Sequence, residues 1–269
     1  MTVIFRAKSQ DAYVLKILAE LLSNNIKTGC FEVDSDGISL CMMDHHRRIL
    51  IDLKLKAENF LIYKFTSKKM FLGINLNHWH KMLKSIKKKD SIELFIDDTS
   101  LTDLGIKVIP KENNRVTTSF VKIQSIQNLD IDIPTGYGKP IIISSSEYQK
   151  IVKDMGNIGN TMKVISKNFS IEFSCNAGGI LKRSVRFGED TNDDEDELGE
   201  EFVQDFNTEQ LCRITKLSGL STNIQIYPGK PLLFKSNVGS IGNISIYIKS
   251  KEQIESEACN IESDCDSDY

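Results

Sequence analysis

Residues 75–92 overlay on residues 207–224 at one constant offset of 132. Asn75 falls on Asn207, Trp79 on Leu211, Lys81 on Arg213, Lys84 on Lys216 and Ile92 on Ile224. A second stretch overlays at an offset of 134, with Lys16 on Lys150, Ile17 on Ile151, Leu18 on Val152 and Glu20 on Asp154. Two nearly equal offsets in a chain of 269 residues describe an internal duplication whose unit is about half the chain. A duplicated chain folds as two similar units, so whatever the first half builds, the second is expected to build again.

The unit is legible from its periodicities. Helical spacing of apolar residues appears over roughly 11–23, 76–86, 146–157 and 208–217, two helices per half. Elsewhere the pattern alternates: Ile49, Ile51, Leu53, Leu55; then Ile92, Leu94, Ile96; then Ile224, Ile226; then Ile244, Ile246, Ile248. Short alternating runs are half-buried strands, and Asp36-Gly37 between two of them reads as a hairpin turn. Two helices backed by antiparallel sheet in each half give an α+β fold. Ser125 to Pro140 carries Gly136, Gly138 and two prolines and reads as a linker. Ile126, Leu129, Ile131 and Ile133 are unusual for a purely solvated one. The expected organisation is an N-terminal domain 1–124, a connector 125–140, a C-terminal domain 141–249 and an acidic, disordered tail 250–269.

The formal net charge of −3 hides a segregation. Residues 189–201 hold nine acids and no base, and residues 250–269 hold seven acids and one base, Lys251. Without those stretches 33 bases face 21 acids, a balance of +12. The body is therefore basic and able to attract a polyanion. Face arithmetic at about 100° per residue places the bases. In the second helix Lys81 and Lys84 lie across from Leu76, Trp79, Leu83 and Ile86. In the third, Lys150 and Lys153 lie opposite Tyr148, Ile151, Met155 and Ile158; in the fourth, Arg213 and Lys216 lie opposite Leu211, Ile214 and Leu217. The first helix has only Lys16, with Glu20 one turn along. No aromatics interleave with these bases, which favours contact with phosphates over stacking on single-stranded bases.

Other chemistries find no support in the residues. No apolar run reaches the roughly 18 residues of a membrane span. The first residues, MTVIFRAKSQDAY, are charged too early for a signal peptide, so an intracellular protein is expected. The six cysteines form no CxxC pair and read as reduced thiols. His78 and His80 diverge by about 200° on a helix and cannot share a metal. No glycine loop with a phosphate-binding lysine occurs, and Asp97-Asp98 and the acidic loop, which could mimic a two-metal carboxylate cluster, read as a turn and a solvated loop. No catalytic residue, metal or cofactor is expected.

The motifs, in order, resemble the eukaryotic-type DNA sliding clamps, the family of proliferating cell nuclear antigen. FEVDSDGISLCMMDHHR (31–47) resembles the family's strand-turn-strand segment, with Met42 where a serine is usual. LGINLNHWHKMLKSI (72–86) is similar to its Gly-Val-Asn-Leu helix start, and LDIDIP (129–134) to the end of its interdomain connector. SSEYQKIVKDMGNIG (145–159), KPLLF (230–234) and the strand at Tyr247 match its second domain. The resemblance implies three subunits closed head to tail in a ring of six domains, helices lining the hole and sheets outside. It implies DNA-facing bases at Lys16, Lys81, Lys84, Lys150, Lys153 and Lys216, with Arg213 added by face arithmetic. Ile17, Ser23 and Asn157 depart from positions that are often basic or histidine. It implies a partner pocket under the connector, taking a peptide with a glutamine and an aromatic pair, at Met43, Leu50, Ile131, Ile133, Pro231 and Tyr247. Arg47 and Lys249 are substitutions at its rim. The implied function is a non-enzymatic processivity clamp that encircles duplex DNA and tethers polymerases and other proteins with such peptides, loaded by a clamp loader, in a nucleus or a cytoplasmic viral factory. A checkpoint-type subunit of a hetero-oligomeric ring is the alternative, and a nuclease on an unrelated fold a remoter one. Ring closure is expected to use the edge strands within 115–123 and 178–187, with Val121 donating to the shared ladder.

Overall fold

The computed structural model describes residues 3–112, 115–188 and 201–265, with the side chains of 260–265 left undescribed. The first half runs β1 (Val3–Ser9), α1 (Ala12–Ser23), β2 (Thr28–Val33), β3 (Gly37–Met43), β4 (Ile49–Lys56), β5 (Ile62–Phe65), β6 (Met70–Asn75), α2 (Leu76–Leu83), β7 (Ser91–Asp97), β8 (Asp103–Ile109) and β9 (Thr117–Gln124). After an irregular 125–140 the second half runs β10 (Ile141–Ser144), α3 (Ser145–Gly156), β11 (Thr161–Lys167), β12 (Ser170–Ala177), β13 (Leu181–Phe187), β14 (Phe202–Asn207), α4 (Thr208–Arg213), a 3-10 turn (Thr215–Gly219), β15 (Asn223–Tyr227), β16 (Leu232–Val238) and β17 (Gly242–Ile248). The order of elements is the same in both halves. The exception is β5, which has no counterpart among the described residues between β13 and β14, where 189–200, nearly all of the acidic run, lie outside the described residues.

The repeat is visible down to its caps. Asn75 and Asn207, the pair overlaid at the start of the second helix of each half, both sit in extended backbone and accept from the first helical turn. Asn75 Oδ1 takes the His78 N–H at 3.0 Å and Asn207 Oδ1 the Glu209 N–H at 2.9 Å. α1 and α3 are both 12 residues long. The alternating runs form strands whose apolar members are buried: Ile92, Leu94 and Ile96 in β7, and Ile244, Ile246 and Ile248 in β17. At the hairpin the Asp34 carboxylate accepts from Asp36 N and Gly37 N at 2.8 and 3.0 Å. A Cβ on Gly37 would lie 2.0 Å from the Leu55 carbonyl oxygen, so only glycine allows β4 this close.

All strand pairs are antiparallel. One sheet has the order β10-β15-β16-β17-β4-β3-β2-β6-β9-β8-β7-β1-β5, and a second is β13-β12-β11-β14. The halves meet at β17 and β4, which pair from Gly242↔Leu55 through Ile248↔Ile49. The helices lie on the core side. α1 packs on α2, α3 packs on α4 and the 3-10 turn, and α1 meets that turn across the two halves. Ile17 of α1 approaches so closely that a Cβ on Gly219 would lie 2.9 Å from its Cγ2. One apolar core runs through both halves.

Two expectations are corrected. The fourth helix does not continue regularly to 217. It breaks after Arg213, where the Thr215 hydroxyl donates back to the Cys212 carbonyl at 2.8 Å. The tail is not disordered from residue 250: Lys251–Cys265 form α5. Ser250 and Gln253 make a reciprocal capping box, with Ser250 N donating to Gln253 Oε1 at 3.1 Å and Gln253 N to Ser250 Oγ at 3.3 Å. Glu252 and Glu257 pair with Lys230 and Lys249 of the body, which offsets the helix's own negative charge.

If the paired asparagines start the two helices, replacing either by alanine should cost about 1 kcal/mol of stability. The urea midpoints of Asn75→Ala and Asn207→Ala should fall by similar amounts. An unchanged midpoint would show that the cap does not matter at that site.

Candidate nucleic-acid interface and partner groove

The second and third helices present the bases that the sequence assigned to them. Lys81, Lys84, Lys150 and Lys153 are exposed, with Trp79, Leu83, Tyr148 and Met155 buried on the other side. Among the described residues no carboxylate pairs with any of these four lysines. The turn after α2 adds Lys87, Lys88 and Lys89, all exposed, which face arithmetic on the helices passed over. The unbroken run of three lysines was the signal for them.

The other three predicted bases are engaged. Lys16 Nζ donates to the carbonyls of Lys84 at 2.8 Å and Ile86 at 3.0 Å, carbonyls left without helical partners at the end of α2. It also lies 5.7 Å from the centre of the Tyr13 ring. Lys216 Nζ is 2.6 Å from the Glu20 carboxylate, so this pair ties the 3-10 turn of the second half to α1 of the first. Arg213 pairs with Glu209 one turn earlier at 2.6 Å. Eight of the 12 residues of α1 are buried, because sheet, α2 and the 3-10 turn all press on it. It therefore has little surface left to offer a ligand.

The candidate groove is built by strand register. Cross-strand partners run in one line over five strands: Tyr227 opposite Leu233, Leu233 opposite Tyr247, Tyr247 opposite Leu50, and Leu50 opposite Met43. Alternation turns this row away from the main core, since its neighbours Ile248, Ile246, Ile49 and Ile51 face inward. It forms a separate apolar cluster, in which Leu50, Leu233 and Tyr247 are buried and Cys41, Met43, Ile131, Ile133, Tyr137 and Tyr227 pack around them. The connector thus lays Ile131 and Ile133 on the outer face of the seam between the halves.

Five of the six predicted groove residues are brought together here: Met43, Leu50, Ile131, Ile133 and Tyr247. Pro231 is not in the apolar cluster; it follows a cis peptide bond, and its carbonyl accepts from the Tyr137 hydroxyl at 2.8 Å. Residue reading missed Leu233, Cys41, Tyr227 and Tyr137. The last was marked by being the sole aromatic in a glycine-rich stretch, GYGKP. Its ring stands 6.2 Å from Tyr227 and 6.1 Å from Tyr247. Burial pushes the Tyr137 and Tyr247 hydroxyls above the usual phenol range, the Asp52 charge adding to the second. Tyr137 thus stays the neutral donor to the Pro231 carbonyl.

Residues 4–133 match the family described as "Proliferating cell nuclear antigen, N-terminal domain", and residues 133–251 the corresponding C-terminal domain. The proliferating cell nuclear antigen of Chaetomium thermophilum is 26% identical over 254 residues, covering 91% of this chain and 97% of that protein. A protein of Invertebrate iridescent virus 6, "Uncharacterized protein 436R", is 28% identical over a 289-residue alignment, covering 94% of each. Among solved structures, that of the nuclear antigen from Entamoeba histolytica superposes with a TM-score of 0.80 at 19% identity, over 93% of this chain and 100% of that one.

The contacts of Lys16 make a prediction that a phosphate-binding role would not. Lys16→Met should lower stability by about 1 kcal/mol, because two carbonyls at the end of α2 lose a charged donor. Urea unfolding measures it. An unchanged midpoint would mean that Lys16 is free to serve elsewhere.

Proposed function

The chain belongs to the proliferating cell nuclear antigen family and is a DNA sliding clamp, a non-enzymatic processivity factor for replication and repair; from that premise we propose how it closes, grips and recruits. Three copies close head to tail, the free edge of β9 in one pairing with the free edge of β13 in the next. The observation that carries this is the β17–β4 seam. By the duplication, β9 is the counterpart of β17 and β13 the counterpart of β4. Among the described residues β13 pairs only with β12, and residues 117–122 of β9 only with β8. Joining these edges between chains repeats the internal seam, which makes six equivalent domain joints in a trimer. Exposed apolar side chains support this: Phe120 at 60% on β9, and Ile180 and Leu181 at 94% and 53% at the start of β13.

Hydrogen-bond direction selects the variant that tests this closure. Ile123 N donates to Thr102 O at 2.8 Å, toward β8. Amides alternate along a strand, so Val121 also faces β8, contrary to the sequence expectation, and the outward amides are those of Thr118, Phe120 and Lys122. Thr118→Pro removes an outward donor and should yield monomers by light scattering. Val121→Pro should instead destabilise the chain itself. A Thr118→Pro chain that keeps the parent's trimeric mass at low concentration would refute this edge. A parent chain that reaches trimer mass only with other subunits would instead favour a hetero-oligomeric ring.

The helices line the hole, and duplex DNA passes along Lys81, Lys84, Lys150 and Lys153. A clamp has to hold DNA topologically while gripping it weakly. Lysine suits this, being a flexible point charge that exchanges phosphates without a fixed fork geometry. Affinity is then independent of base sequence and falls steeply with salt. The groove under the connector receives peptides with a glutamine and an aromatic pair, borne by the polymerase, the clamp loader and other partners. The site of action is intracellular, a nucleus or a viral factory; the iridescent virus relative supports the second. Reversing the charge of Lys81, Lys84, Lys150 and Lys153 together should abolish loader-dependent primer extension on a circular template while leaving the trimer intact. Lys216 is left out because its reversal would also break the pair with Glu20. Undiminished synthesis by the quadruple variant across a salt series would rule these helices out as the DNA path.

A further inference from the structure

The two long borders of the groove differ in charge. Below the apolar row, the next line of cross-strand partners is Gln225, Lys235, Ser245, Asp52 and Cys41, which is mixed. Above it the border is basic. One residue beyond the registered ladder Pro231 comes opposite Lys249, and Lys249 N donates to the Arg48 carbonyl at 3.0 Å. Lys230 precedes Pro231. The β3–β4 loop projects His45, His46 and Arg47, all exposed, with Arg48 beside them. The acid of this loop is used internally: Asp44 Oδ1 accepts from Arg48 N at 2.6 Å and Ile49 N at 2.8 Å, and Asp44 is buried. The acids of the connector, Asp130 and Asp132, stand on the irregular segment that covers the row, and Asp52 on the mixed border.

The carboxylates that do meet the basic border come from α5. Glu252 reaches Lys230 at 2.9 Å and Glu257 reaches Lys249 at 2.6 Å. Glu252 holds its proton less readily than an ordinary carboxyl, chiefly because of Lys230. Both pairs are solvent-accessible, and exposed ion pairs are weak and easily exchanged. Beyond its capping box, α5 contributes a single half-buried aliphatic side chain, Ile254, among the described residues. The chain thus carries an acidic segment resting on the basic lip of its own partner groove.

We propose that this groove takes a peptide whose apolar anchors are flanked by carboxylates, and that Glu252 and Glu257 of α5 occupy the carboxylate positions until such a peptide exchanges with them. The proposal rests on the reading of the groove as the partner site. It adds the chemistry that selects among partners: charge at the rim decides specificity, while buried anchors decide whether binding occurs.

Two labelled synthetic peptides test it against the full chain by fluorescence polarisation. Both carry one glutamine and one aromatic pair; one is flanked by aspartate and glutamate, the other by lysine. The acidic peptide should bind about fivefold tighter or more at low salt, the worth of one or two rim pairs. The difference should shrink as salt approaches about 0.5 M. Arg47→Glu with Lys249→Glu should erase or invert the preference. Glu252→Gln with Glu257→Gln should strengthen binding of the acidic peptide, because the internal competitor is weakened. If the two peptides bind alike, or the lysine-flanked one binds tighter, the charge rule is overturned and the groove stands. If neither binds, the groove itself is misassigned and the charge rule falls with it.

Discussion

The antiparallel joint of β17 with β4 is the interaction on which the rest of this molecule depends. It is the only strand pairing between the halves among the described residues, running from Gly242↔Leu55 to Ile248↔Ile49. Its inward side chains, Ile244, Ile246, Ile248, Ile49, Ile51 and Leu53, belong to the common core. Its outward side chains, Tyr247 and Leu50, are the floor of the groove. A single ladder therefore joins the domains and makes the floor of the groove. Duplication extends the logic: a chain that solves one joint internally carries the two unmatched edges of the same joint, which the proposed ring would consume.

The helix layer shows how a charge pattern read from sequence is divided when the chain folds. α1 is wedged between the sheet, α2 and the 3-10 turn, and its two charged side chains act within the protein. Lys16 closes the end of α2 and Glu20 holds Lys216. The outermost lysines of α2 and α3 remain exposed, as do Lys87, Lys88 and Lys89. The bases with intramolecular carbonyl or carboxylate partners are those that hold helix ends and the two halves together.

The two segments that come after the last strand of each half are structural counterparts with different fates. After β9 the chain continues as the connector, which lays Ile131, Ile133 and Tyr137 over the apolar row. After β17 it turns into α5, which sets Glu252 and Glu257 against the lysines at the groove's lip. One segment covers the groove with apolar side chains and the other sets carboxylates against the lysines at its border. Both approach the same few strands because β9 and β17 occupy equivalent places in the repeat.

Local order in the sequence determined a great deal here. The constant offset located two similar units, and it was accurate enough to pair the asparagines that cap α2 and α4. Period-2 runs placed the strands, and period-3.6 runs the helices and their basic faces. Family resemblance located five of the groove's apolar residues. Even α5 had a local sign, Ser250 with Gln253 at capping-box spacing, which the acidity of residues 252–268 outweighed; its compensating partners, Lys230 and Lys249, lie in the body. Only the tertiary structure decided that Lys16 would serve a helix end 68 residues away, that Lys216 would be held by Glu20, and that Leu233 and Tyr227 would join the groove. It also turned the Val121 amide inward to β8. Periodicity is a property of neighbours along the chain and survives in the sequence. Register and ion pairing depend on which distant segments meet and at what offset, and that is set by packing the whole core at once.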